Sequence, residues 1–177
     1  MIYKITYFLL LIVAFSPASN TVSKEVKKME ELKITSPVFE NNDNIPRKYT
    51  CDGMDINPPL FIENVPADVT SLALIVDDPD APMGTWVHWV LWNINPGTKE
   101  IKENRVPEGA KQGINDFGKH DYGGPCPPSG THRYFFKLYA LDRLLDLSPN
   151  SKKADLEKSM KGHIISQAQI LGLYGRK

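Results

Sequence analysis

Two stretches of the chain are apolar at nearly every position, not at every second one. Ser71-Leu-Ala-Leu-Ile-Val76 is one, and Trp86–Ile94, interrupted only by His88 and Asn93, is the other. Both are rich in strand formers and too short for core helices, so they predict central strands covered on both faces. His132–Leu141 alternates instead: His132, Tyr134, Phe136, Leu138 and Ala140 share one face, while Arg133, Phe135, Lys137 and Tyr139 share the more polar other. Ser166–Tyr174 puts Ala168, Ile170 and Tyr174 on one face and predicts a last strand. One short helix is expected over Lys152–Met160, capped by Ser148 or Ser151 and stopped at Gly162. The 14 prolines gather in loops such as Asn57-Pro-Pro59, Asp78-Pro-Asp-Ala-Pro82 and Pro125-Cys-Pro-Pro128, which leaves little room for helix. The pattern therefore predicts a mainly β protein, mostly antiparallel, with one or two short peripheral helices.

The N-terminus has a different pattern. Lys4 precedes an apolar run, Ile5–Phe15, that ends in Ser16-Pro-Ala-Ser19. A charged n-region, a short h-region and small residues at a cleavage site make this a signal peptide over 1–18, and the run is too short to span a bilayer. A buried N-terminal helix fits the Lys4 flank and the Ser-x-Ala ending less well. Residues 19–31, mixed in charge, form a solvated leader, and one domain is expected over 32–177. Lys plus Arg and Asp plus Glu are both 21, and nothing in this balance favours a nucleic-acid partner. The implied product is secreted or periplasmic, without an integral membrane span. Cys51 and Cys126 are an even pair in an exported chain, either bridged or two free thiols.

Candidate chemistry falls in two segments. In Asp77-Asp78-Pro79-Asp80-Ala81-Pro82 a buried strand ends in carboxylates, and Trp86-Val-His88 opens the next strand. A histidine in an apolar strand needs a partner, and Asp78 or Asp80 is the nearest in sequence; His88 is then either a satisfied core residue or a functional one. In Gly123-Gly-Pro-Cys-Pro-Pro128-Ser-Gly-Thr-His132-Arg-Tyr134 a proline-locked loop hands over to a strand carrying an imidazole, a guanidinium and a phenol. His132 and Tyr134 point the same way, and Arg133 points away, toward an acidic partner on the far face. Such donors suit phosphate or sulfate. The glycines form no P-loop, since no Gly-Lys-Ser/Thr follows.

Asp-Pro-Asp-Ala-Pro followed by Trp-x-His, together with Gly-Pro-x-Pro-Pro-x-Gly-x-His-Arg-Tyr, resembles the phosphatidylethanolamine-binding protein family, which includes Raf kinase inhibitor protein. Cys51-Asp-Gly, Asn57-Pro-Pro-Leu60, Asn115-Asp-Phe-Gly118 and the ending from Gly162 to Arg176 are similar to its bacterial and archaeal branch. The resemblance implies a large central sheet packed on a smaller one. It also implies a small anion pocket at one end of the large sheet, formed by Asp78, Trp86, His88, Pro128, His132 and Tyr134 with Asp80 and Pro82 at its floor. It further implies a cis Ala81–Pro82 bond and, because the chain ends at Lys177 just after its last strand, an open entrance.

The implied function is capture of a small anion, phosphate or a phospholipid head group such as phosphorylethanolamine, with no catalysis, no cofactor and no metal. His88 and His132 would supply N–H donors, Asp78 would orient one of them, and binding would weaken as pH rises. Two alternatives stand beside it. One is an extracytoplasmic protease inhibitor with a protein partner. The other is a metal-dependent or acid–base hydrolase using Asp78, Asp80, His88 and His132, although no His-Glu-x-x-His motif or serine elbow is present.

Overall fold

A strand buried on both faces needs a layer on each side, and the two fully apolar runs of the sequence obtain them. In the computed structural model, which describes residues 1–2 and 30–176, β4 (Ser71–Asp78) and β5 (Trp86–Ile94) lie inside a six-stranded sheet. Its order is β2-β9-β8-β4-β5-β7, with β2 (Asp43–Asn44), β7 (Lys111–Gln112), β8 (Gly130–Leu141) and β9 (Ile164–Arg176). Every pairing in it is antiparallel except β2 with β9. A three-stranded sheet, β1 (Lys33–Thr35), β3 (Leu60–Glu63) and β6 (Glu100–Ile101), makes the second layer. Nearly all of the signal peptide expected over 1–18 and of the 19–31 leader lies outside the described residues.

The faces divide by parity. On β4, Leu72, Leu74 and Val76 join Leu60, Ile62, Phe136 and Leu138 in the core on one side of the large sheet. Ala73 and Ile75 face the other way, against Trp92, Leu156 and Met160 beneath α1 (Lys153–Met160). The alternation expected for β8 is present, with Tyr134, Phe136 and Leu138 buried and Arg133 exposed. Among the described residues no helix is long and apolar enough to cross a membrane.

Two expectations need correction. Neither Ser148 nor Ser151 caps α1: Lys152 is the N-cap, and its backbone N–H donates to the Asp155 carboxylate at 2.9 Å. An acidic side chain at the third helical position reaches back to that amide as well as a serine would serve the first turn. The Ala81–Pro82 bond is trans, as are all the peptide bonds of the described residues; trans is the lower-energy isomer for this link.

Candidate anion site

The site forms where the core face of the large sheet runs out. Period two carries that face of β4 from Val76 to Asp78, and that face of β8 from Phe136 back through Tyr134 to His132. Strand β5 reaches it by a different route. Val76 pairs with Trp89 but Asp77 pairs with Val87, so His88 is an extra residue, a β-bulge. A bulge breaks the alternation and re-aims a side chain. His88 therefore turns to the side that Trp89 occupies, and its ring meets Tyr134 edge-on with centroids 5.2 Å apart.

Each histidine is held from behind by a different acceptor. His132 Nδ1 lies 2.7 Å from Asp78 Oδ2, with both residues buried. His88 Nδ1 lies 2.6 Å from the Gly123 carbonyl oxygen, and the Gly123 amide returns a bond to His88 O at 3.0 Å. The partner expected for His88 was Asp78 or Asp80. Asp78 is instead committed to His132. Asp80 accepts the backbone N–H of Arg133 at 3.0 Å and its guanidinium at 2.9 and 2.7 Å. That pair holds the Asp80 carboxyl below its ordinary range and accounts for Arg133, which has the acidic partner foreseen for it.

Burial pushes the His88 imidazole below its ordinary pKa; the Gly123 carbonyl and the charges of Asp78, Asp77 and Asp55 oppose this without reversing it. Burial, reinforced by Asp78, raises the Tyr134 hydroxyl well above the tyrosine norm. Its Oη has no hydrogen-bond partner.

The loop from Asn115 to Pro128 forms the remaining wall. Asn115 is buried and pins it: its side-chain amide donates to Asp121 O at 2.9 Å, and its Oδ1 accepts from Phe117 N and Lys119 N. Gly123 and Gly124 are required by close approach. A Cβ at Gly123 would stand 2.5 Å from the Phe117 ring, and one at Gly124 would stand 2.8 Å from Thr50 Cα. A disulfide, Cys51–Cys126, ties the end of this loop to the turn after Tyr49, with Cα atoms 5.4 Å apart.

The cavity, open on one side, measures about 360 Å³. Of the residues expected there, Asp78, Pro82, Trp86, His88, Pro128 and His132 line it. Tyr134 lies beneath the two histidines without lining it, and Asp80 is turned away to Arg133. Phe117, Met83, Ala81, Cys126 and Pro127 complete the wall and were not foreseen. Phe117 packs edge-on against both Trp86 and His88. The outer wall is thus apolar, with Met83 94% exposed at the rim, and the polar groups are concentrated at the base.

The comparisons with known proteins agree with this architecture. A family model described as phosphatidylethanolamine-binding protein matches residues 35–175. A UPF0098 protein of Methanothermobacter thermautotrophicus is 49% identical over 150 residues, which cover 82% of this chain and 99% of that protein. The crystal structure of a phosphatidylethanolamine-binding protein homologue from Chlamydia trachomatis is 39% identical, with a TM-score of 0.80 over 83% of this chain and 99% of that one. The Escherichia coli protein YbcL, described as a member of the mammalian family, is 31% identical, with a TM-score of 0.79 over 84% of this chain and all of its own.

Proposed function

Since this chain belongs to the phosphatidylethanolamine-binding protein family, we propose that it captures a small oxyanion, phosphate or a phosphate ester, at the base of the cavity and does not transform it. The observation that carries this reading is the buried Asp78–His132 pair whose free ring nitrogen, Nε2, is left to a cavity with an apolar wall. With Asp78 accepting from Nδ1, a protonated His132 offers Nε2–H outward as a charge-assisted donor. The apolar wall of Pro82, Met83, Trp86 and Phe117 suits an apolar substituent on the anion.

The side-chain commitments weigh against a hydrolase. A carboxylate–histidine pair becomes nucleophilic machinery only with a hydroxyl or thiol to activate. No serine, threonine or tyrosine lines this cavity, and its cysteine is in a disulfide. Asp80 is held by Arg133, so Asp78, Asp80, His88 and His132 do not converge as a ligand set. For location we propose export, on the strength of the N-terminal charged–apolar–small pattern and of a disulfide that suits an oxidising compartment.

Calorimetric titration tests the binding reading. Phosphate binds saturably, phenyl phosphate binds more tightly through the apolar wall, and a folded His88→Ala, His132→Ala double variant loses at least about tenfold in affinity. His132 Nε2 donates to the anion only when the ring carries both hydrogens, because Asp78 holds the other at Nδ1. Around that ring stand Asp78 and Tyr134, with His88 across the cavity and Asp80–Arg133 outside it. Equal binding by the double variant would remove the histidines from the site.

A further inference from the structure

The hydrogen on each pocket histidine is located by what stands behind the ring. The Gly123 carbonyl oxygen has no hydrogen to give, so at 2.6 Å the hydrogen must lie on His88 Nδ1. His88 is only 3% exposed, in a shell of Tyr134, Phe117 and backbone, and burial keeps the ring neutral. Its Nε2 is then a bare lone pair at the cavity, with no partner in the protein. The sequence-based expectation of two N–H donors gives way to one: His132, backed by Asp78, donates when charged, and His88 accepts.

An oxyanion spanning both rings meets two opposite demands. One of its oxygens must accept from His132, and another must bring a hydrogen to His88. Sulfate brings only lone pairs and must set one of them against the lone pair of His88 Nε2. Inorganic phosphate keeps a P–OH at neutral pH, and a phosphate monoester regains one near pH 6. A phosphodiester never carries one on its anion.

Resting on the reading of the cavity as an anion site, we propose that it selects oxyanions that keep a proton, phosphate at neutral pH and its monoesters below about pH 6, over oxyanions that keep none, with His88 Nε2 accepting the ligand's O–H. A phosphodiester, such as an intact phospholipid head group, falls on the disfavoured side. Monoesters of the same head group, once protonated below about pH 6, do not.

The test has two independent arms. In the first, phosphate and sulfate are titrated near pH 7 at equal ionic strength. Phosphate binds at least about tenfold more tightly, the penalty of an unmatched buried acceptor. His88→Gln, whose amide can turn an N–H to the cavity, narrows that preference. Equal affinities for the two anions in the native protein overturn the proposal. In the second arm, long-range ¹H–¹⁵N spectra of the histidine rings read the tautomer without any ligand. The prediction is a hydrogen on His88 Nδ1, and a hydrogen on Nε2 overturns the acceptor assignment whatever the anions do. Failure of both anions to bind, with the hydrogen on Nδ1, overturns the anion-site reading itself and this proposal with it.

Discussion

Replacing both lysines that face Asp77, in the double variant Lys137→Met, Lys153→Met, lowers the unfolding free energy by about 3–5 kcal/mol. Asp77 is fully buried, on the face of β4 opposite to Asp78. Lys137 Nζ, from β8, reaches its carboxylate at 2.8 Å, and Lys153 Nζ, from the first turn of α1, reaches it at 2.6 Å. An ionised carboxylate has no water to turn to there, so removing both cations leaves a buried charge unpaired, one of the costliest single defects in a folded protein. Either lysine alone keeps a partner in place, so each single variant costs less than half as much. Adding Asp77→Leu to the double variant recovers most of the loss, because an apolar group replaces the stranded charge. Urea melts of the single, double and triple variants read these differences directly. A double variant as stable as the native protein would show that Asp77 does not depend on its lysines.

Removing the disulfide has the second large effect. Cys51→Ser with Cys126→Ser opens a covalent loop with a sequence separation of 75, and chain entropy assigns such a loop about 4 kcal/mol. For a domain of this size the melting temperature falls by roughly 8–16 °C. The consequence extends to the cavity. Cys126 stands in its wall beside Pro127 and Pro128. Cys51 stands beside Asp52, which Tyr174 and Arg176 hold to the end of β9; those bonds bring the Asp52 carboxyl down to about 2. The bridge therefore links the proline wall of the cavity to the end of β9 in the large sheet. Without it, the Gly124 amide bond to Asp55, at 2.7 Å, is a remaining tie on that loop. Thermal melts with and without reductant measure the stability, and phosphate titration of the reduced protein should show weaker binding. An unchanged melting temperature on reduction would contradict the assignment.

Much of this was legible in the chain. The two fully apolar runs are central strands because both faces of the large sheet are covered, and the alternation of β8 gave the direction of His132, Tyr134 and Arg133 correctly. The line of donors at the start of β8 and the carboxylate at the end of β4 meet because period two carries both to one end of one face. The partner of His88 was not legible. Its orientation depends on a bulge, which is a property of register between two strands and leaves no mark in the sequence of either. The group it meets is a backbone carbonyl 35 residues away, and a carbonyl has no residue signature. Phe117 was hidden for a related reason: Asn115-Asp-Phe-Gly118 entered only through the family resemblance, and only the fold shows that this segment lays its aromatic ring over Trp86 and His88. Asp80 was placed at the cavity floor by the family resemblance, whereas the adjacent strand supplied it a better partner in Arg133.

The most direct measurement is a crystal structure of the protein grown with phosphate. A tetrahedral anion is expected in the cavity bounded by Trp86, Phe117 and Pro128, within hydrogen-bonding distance of Nε2 on both His88 and His132, with Asp78 and the Gly123 carbonyl unmoved behind them. An anion bound elsewhere, or an empty cavity at a phosphate concentration that saturates the protein in solution, would contradict that expectation.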